Sequence, residues 1–257
     1  MLQMSVDPNK MELLEHLAEL RTRLLHCIVA IGIGAVVAYC VSESTFAFLT
    51  APFFDSFPGQ SMIGTGPAEA FLLKLKVAFF TGVVVSSPYL FLQIWLFIAP
   101  GLLPHEKTLL LPFIFVSTLL FAVGIAFSYY VVLPFAFDFF FTQFTSIGIT
   151  PTIRVSEHLS LIIKALLGFG CVFEMPVIAY FLGRLGIIDH HFLLRYGRHA
   201  VVAIFVVAAV LTPPDIITQL LMAGPLLLLY GISILLVKYT AKAPEEDDEE
   251  EINPATY

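Results

Sequence analysis

Five long apolar runs, residues 24–41, 77–98, 109–133, 159–182 and 216–237, leave this chain few folds to choose from. A helix of about 20 such residues spans a hydrocarbon core of roughly 30 Å. A sixth run, 200–211, is shorter and would rise about 18 Å at 1.5 Å per residue. Inside lipid a backbone must satisfy its own hydrogen bonds. The hydrophobic content of 58% lies in continuous runs rather than in alternation, so the spans read as helices and not as a barrel. The expected fold is an all-α membrane protein with six transmembrane helices. The first 23 residues carry Asp7, Glu12, Glu15 and Glu19 and lack the early apolar core of a cleaved signal.

The placement of Lys and Arg orients the spans, because short loops rich in them stay cytoplasmic. With the N-terminus inside, Lys10, Arg21, Arg23, Lys107, Arg184, Arg195, Arg198, Lys238 and Lys242 fall on the inner side. The outer loops hold Arg154, and Lys74, Lys76 and Lys164 lie near outer ends of spans. Both termini are therefore expected in the cytoplasm. Three regions follow: a cytoplasmic amphipathic segment (1–23), a six-span membrane domain (24–238) and an acidic disordered tail (239–257). The formal charge of −7 comes from that tail, where Glu245, Glu246, Asp247, Asp248, Glu249, Glu250 and Glu251 follow one another. Cys27, Cys40 and Cys171 have no paired ligand spacing and read as small packing residues.

Near the N-terminus, Leu13, Leu17, Leu20 and Leu24 recur at helical spacing, opposite Glu12, Glu15, Glu19 and Arg23. The segment reads as an amphipathic helix on the cytoplasmic surface that runs into span one. Two readings of Glu19 stand at this point. It pairs with Arg23 at i,i+4, worth a few tenths of a kcal/mol, or it serves a ligand. The short inner loop between spans two and three adds Glu106, close to Trp95 and Phe97. Two carboxylates facing the same side could each receive a guanidinium in bidentate geometry, so a ligand with two arginines would suit them.

Glu174 lies deep within the fourth span, beside Phe173 and Met175. An acid at such depth costs a few kcal/mol and faces a bundle interior or a watery cavity. It is either a polar docking point or a protonated glutamate bonded to a neighbouring span. Pro176 kinks this helix and frees a carbonyl. Asp215 and Gln219, at the start of the last span, are counted with Glu174 as a polar intramembrane site. The short fifth span predicts local thinning of the bilayer. The long outer loops read as a turn-rich stretch (42–70) and, within 134–158, as a phenylalanine-rich interfacial helix. Together they are expected to form an outer cap, with Ser156 capping span four.

The segments His16-Leu17-Ala18-Glu19-Leu20-Arg21, Phe97-Ile98-Ala99-Pro100-Gly101-Leu102 with His105-Glu106, Phe173-Glu174-Met175-Pro176, and Thr212-Pro213-Pro214-Asp215 together resemble the TatC family. That family is the multi-spanning receptor subunit of the Sec-independent, twin-arginine protein translocase. The resemblance runs from about Glu12 to Lys238. It implies a protein of the bacterial cytoplasmic (inner) membrane that recognises twin-arginine signal peptides of folded cargo proteins. It further implies single-span partners, TatA and TatB, an oligomeric complex within the lipid bilayer, and a drive from the proton-motive force. By the same resemblance Glu19 and Glu106 are signal-contacting acids, Arg21 and Phe97 lie beside them, and Pro52 is functional in the first outer loop. Pro104 and Lys107 depart from the more basic surroundings that relatives often carry.

No nucleophile motif, metal-ligand spacing or Gly-rich phosphate loop appears in the sequence, so no enzyme, cofactor or nucleic-acid partner is expected. Adjacent His190 and His191 are expected to point apart. The rival reading is a proton-coupled small-solute transporter with Glu174 as its proton site. Such carriers often show internal repeats, and the first three spans do not resemble the last three.

Overall fold

The computed structural model describes residues 8–57, 59–99, 108, 110–211 and 216–240, with side chains from residue 15 to residue 239. Ten α-helices account for most of these residues: α1 (Pro8–Tyr39), α2 (Ser42–Ser56), α3 (Glu69–Ile98), α4 (Leu110–Phe127), α5 (Leu133–Ser146), α6 (Val155–Val172), α7 (Met175–Arg184), α8 (His190–Arg195), α9 (Gly197–Leu211) and α10 (Ile216–Thr240). Two short strands, β1 (Met62–Ile63) and β2 (Ile153–Arg154), pair in parallel, with Met62 opposite Ile153 and Ile63 opposite Arg154. Among the described residues, five stretches are long and apolar enough to cross a bilayer: Glu15–Tyr39, Glu69–Ile98, Leu110–Ser146, Val155–Arg184 and Ile216–Tyr239. The sixth apolar helix, α9, has 15 residues.

The amphipathic segment and span one are a single uninterrupted helix, α1. Residues 42–70 differ from the turn-rich reading, because Ser42–Ser56 is helical straight through Pro52. A proline inside a helix cannot donate to the carbonyl four residues back, here that of Phe48. That carbonyl is instead satisfied by the Tyr129 hydroxyl at 2.7 Å, and the Tyr129 and Phe48 rings stack at 4.4 Å. Pro88, inside α3, is handled alike, for the Val84 carbonyl accepts from Ser87 Oγ at 2.8 Å.

The phenylalanine-rich stretch also differs from its expected form. It does not begin a separate interfacial helix. A π-helical turn, Ser128–Val132, joins α4 to α5 without a break, so the hydrogen-bond register has already slipped when Pro134 arrives. Ser156 does not cap α6. The β1–β2 pairing draws Ile153 and Arg154 into a strand, which places Arg154, in extended conformation, at the N-cap and Ser156 inside the first turn. The last helix runs to Thr240, two residues into the region read as tail, and residues 241–257 lie outside those described.

Helices in lipid gain little from hydrophobic contact alone and pack closely where residues are small. At Gly82 a Cβ atom would come 2.6 Å from the Ala35 backbone nitrogen, and at Gly34 one would come 3.0 Å from the Gly82 carbonyl oxygen. These glycines let α1 lie along α3, where Ser86 Oγ also donates to the Ala30 carbonyl at 3.0 Å. Gly124 and Gly170 do the same for α4 and α6. The main core, with Phe53, Phe57, Val77, Leu159, Phe169 and Leu226, joins α2, α3, α6 and α10. A smaller cluster of Trp95, Phe113, Val177 and Phe181 fastens α3, α4 and α7. Glu43 ties α2 to Lys74 of α3 at 2.5 Å, and the ammonium holds its carboxyl below the usual carboxylate range.

Two substitutions test this frame. Gly82→Val overpacks the α1–α3 contact and is expected to cost about 1–3 kcal/mol, read as a lower midpoint of thermal unfolding in detergent. Tyr129→Phe strands the Phe48 carbonyl and should cost about 1–3 kcal/mol. In the Pro52→Ala background the helical N–H is restored and this loss should shrink; equal losses in both backgrounds would show that Tyr129 does not serve the proline.

Candidate functional site

One end of the bundle gathers the first set of expected residues. Glu19 and Arg23 are one turn apart on α1. Arg23 Nε and Nη2 both donate to Glu19 Oε1, at 2.9 and 2.5 Å. Arg23 Nη1 reaches across to α3 and donates to Gln93 Oε1 at 3.2 Å. The i,i+4 pairing is therefore present, and it is part of an interhelical network rather than a lone surface pair. Around Glu19 Oε2, the contact among the described residues is His16 Nδ1 at 4.0 Å. The His16 ring stacks on Phe97 with centroids 4.4 Å apart. Glu19 and Phe97 thus meet through His16, while Arg21 is exposed on the helix. Glu106, with Pro104 and Lys107, lies outside the described residues.

Gln93 is the residue that sequence reasoning missed. It is 7% exposed in the last third of α3, and its signal was a lone carboxamide in an otherwise apolar span. A glutamine there needs a partner, and the partner is the arginine that holds Glu19.

The second set centres on Glu174. The span read as continuous is broken there: α6 ends at Val172, Phe173 and Glu174 form a turn, and α7 starts at Met175 with Pro176 in its first turn. The Glu174 N–H bonds three residues back, to Cys171 at 3.2 Å, and Ile178 N–H returns to the Glu174 carbonyl at 3.0 Å. Glu174 lies about 15 Å from the Arg184 end at 1.5 Å per residue, within a stretch apolar enough to cross a bilayer. Its side chain is 7% exposed. It shares a hydrogen bond with Ser117 of α4, whose Oγ also accepts from Trp95 Nε1 at 3.4 Å. Glu174 Oε1 has no partner among the described atoms. Beside it lies an apolar cleft of about 510 Å³, lined by Val116, Leu120, Phe173, Pro176, Val177 and Leu229 among others. A buried carboxyl with one unfilled oxygen, at the edge of an apolar cleft, can take a hydrogen-bond donor carried in on an apolar surface.

The structure separates Gln219 from Glu174. Gln219 Nε2 donates to the Phe205 carbonyl at 3.0 Å and ties α10 to α9. Asp215 lies outside the described residues. Pro52 is buried in α2, far in the chain from either set and engaged with Tyr129 as described. The rings of His190 and His191 do not point apart. Their centroids are 3.9 Å from each other, and among the described residues no group of three metal-capable side chains forms. Cys40 and Cys171 are exposed in the isolated chain, so neither is an interior packing residue.

These features define a multi-pass helical membrane protein with one polar network at a bundle end and one acid buried between helices. The sequence matches the family described as Sec-independent protein translocase protein (TatC) over residues 15–225. Among curated relatives, the Sec-independent protein translocase protein TatC of Desulforapulum autotrophicum is 42% identical over 96% of this chain and 92% of its own length. The one of Helicobacter pylori strain J99 is 40% identical over 95% of this chain and 96% of its own. The crystal structure of the twin arginine translocase receptor TatC superposes with a TM-score of 0.81 at 38% identity, over 88% of this chain and 99% of that one. The chain belongs to the TatC family. It is a transport subunit of the Tat protein translocase and not an enzyme, and its place in the translocase implies a complex with other Tat subunits.

Glu174→Met keeps the side-chain length and removes the unpaired carboxyl oxygen. It is expected to raise the stability of the isolated protein by roughly 1–3 kcal/mol, measured by thermal unfolding in detergent. A lowered midpoint would show that the carboxyl is fully bonded at home.

Proposed function

We propose that this subunit recognises twin-arginine signal peptides of folded cargo, with Glu19 and Glu106 as the carboxylates that receive the two guanidinium groups. The observation that carries the proposal is the state of Glu19. Its Oε1 already accepts two N–H groups of a guanidinium, from Arg23, while Oε2 is left without a hydrogen bond among the described residues. The carboxylate is thus oriented by its own helix and retains acceptor capacity for an incoming arginine, the strongest donor geometry a carboxylate can meet. Phe97, stacked on His16, gives the peptide an apolar surface next to that oxygen. Arg21, exposed on α1 two residues from Glu19, stands beside the bound peptide in this reading.

In the same reading the protein sits in the bacterial inner membrane with six spans, α9 being the short one, and with both termini in the cytoplasm. Lys and Arg are concentrated on that side. Glu174 and its cleft form the place where a single-span TatA- or TatB-type helix docks with a polar group against the acid, with Asp215 and Gln219 as further polar residues of the partner site. Pro52 shapes the outer cap through α2. Transport is driven by the proton-motive force, in keeping with a sequence that carries no nucleotide-binding loop.

Glu19→Gln and Glu106→Gln are each expected to weaken binding of a labelled twin-arginine peptide by about 1–3 kcal/mol, the range for losing a charge-assisted hydrogen bond. A twin-lysine peptide should bind more weakly than the twin-arginine one. Binding to the purified protein in nanodiscs reads both, and wild-type affinity in the double variant would sink the assignment. Glu174→Ala should leave peptide affinity unchanged and reduce co-purification of the single-span partners.

A further inference from the structure

A third polar feature belongs to neither set. Between α3, α6 and α9 lies a cleft of about 420 Å³ lined by Lys76, Ser160, Lys164, Leu161, Val210 and Leu211, among others. Lys76 Nζ of α3 donates to Ser160 Oγ of α6 at 2.9 Å, and Ser160 donates in turn to the Ser156 carbonyl at 2.5 Å. Lys164 follows Ser160 by one turn on the same face of α6 and makes no hydrogen bond or ion pair among the described residues. The nearby acid, Glu157, is engaged by Arg154 at 3.4 Å. Glu157 itself lines the cleft, so the two ammonium groups there meet one carboxylate, and that one is already shared with Arg154.

Their depth is unusual. Lys76 and Lys164 stand about 10 and 14 Å from the first residues of α3 and α6 at 1.5 Å per residue, within stretches apolar enough to cross a bilayer. A lysine at that depth is costly unless its ammonium reaches a polar layer or an anion. The short helix supplies the layer. α9 has 15 residues and rises only about 22 Å, against a hydrocarbon core of roughly 30 Å. Its end is set deep, because Leu211 packs over Gly168, where a Cβ would collide with the leucine side chain. Gly168 lies about 20 Å along α6. Headgroups beside that end must sink to cover it, which brings their phosphates to the level of Lys76 and Lys164.

We propose that this cleft binds the phosphate of an anionic phospholipid, held by Lys76 and Lys164, with Ser160 steadying the Lys76 ammonium and an acyl chain lying along Leu161, Val210 and Leu211. The bound lipid anchors the thinned leaflet at the α9 edge. A free phosphate shares the charge but not the apolar strip below it, and an acid-bearing protein segment shares the charge but not the requirement for a headgroup. Neither depends on the signal-peptide reading above, so the two proposals stand or fall separately.

The test is retention of phospholipid by the purified full-length protein, counted by native mass spectrometry after titration with phosphatidylglycerol or phosphatidylcholine, with inorganic phosphate as competitor. The samples are wild type, Lys76→Gln with Lys164→Gln, and Lys74→Gln, a lysine that pairs with Glu43 outside the cleft. Each cleft lysine should contribute about fivefold to phosphatidylglycerol retention and the pair roughly thirtyfold, at the usual strength of a lysine near an anionic lipid surface. Lys74→Gln should retain lipid as wild type does, and phosphatidylcholine should be held less well. Equal retention by wild type and the double variant overturns the proposal. So does full displacement of the lipid by millimolar phosphate, which would make the cleft a simple anion site. Unchanged lipid retention with loss of a co-purifying Tat subunit would overturn it in favour of a protein acid.

Discussion

In an apolar slab, a backbone carbonyl without a donor is among the most expensive things a chain can carry. Much of this structure is arranged around that one constraint. Pro52 and Pro88 each free a carbonyl inside a helix, and both carbonyls have identifiable remedies: Tyr129 serves Phe48 behind Pro52, and Ser87 serves Val84 behind Pro88. A third proline, Pro134, is met by a π-turn that shifts the register before it arrives. The Tyr129 remedy lies within that same π-turn. The helix that tolerates one proline thereby repairs the helix broken by another, and α2 is fixed against the α4–α5 junction.

Close helix packing follows from the same economy of contact. Glycines at the α1–α3 and α4–α6 crossings bring backbones together where side chains could not. With α1 laid along α3, Arg23 can span from Glu19 to Gln93, and His16 can lie flat on Phe97. This polar end of the bundle is therefore a product of the packing in mid-membrane. Glu174 depends on packing in another way. At the break between α6 and α7 its side chain meets Ser117 and is buried rather than left to lipid, and Trp95 completes a short relay from α3.

How much of this the sequence showed can be judged residue by residue. The apolar runs, the depth of Glu174, the Glu19–Arg23 pair and the shortness of α9 were legible, because each depends on local composition or on spacing within one helix. The helical form of residues 42–56 was hidden, because its prolines and nearby glycines mark turns unless a distant hydroxyl repairs the helix. The side-by-side rings of His190 and His191 run against the 100° separation of helical neighbours, and nothing in the structure explains them. Gln219 looked like a companion of Glu174 in the list of polar span residues, yet its partner is the Phe205 carbonyl, on the helix that precedes it.

By itself the sequence determined the class of the protein, where its apolar runs fall, and which few polar residues had to be accounted for inside them. Those are consequences of transfer free energy and helical period, which act on each segment alone. The tertiary structure decided which polar groups meet: Glu19 with Gln93 through Arg23, Pro52 with Tyr129, Lys76 with Ser160, and Glu174 with Ser117. Such pairs join residues far apart in the chain, and no local preference encodes them. They arise only when small residues let particular helices approach and so fix which side chains share the remaining space.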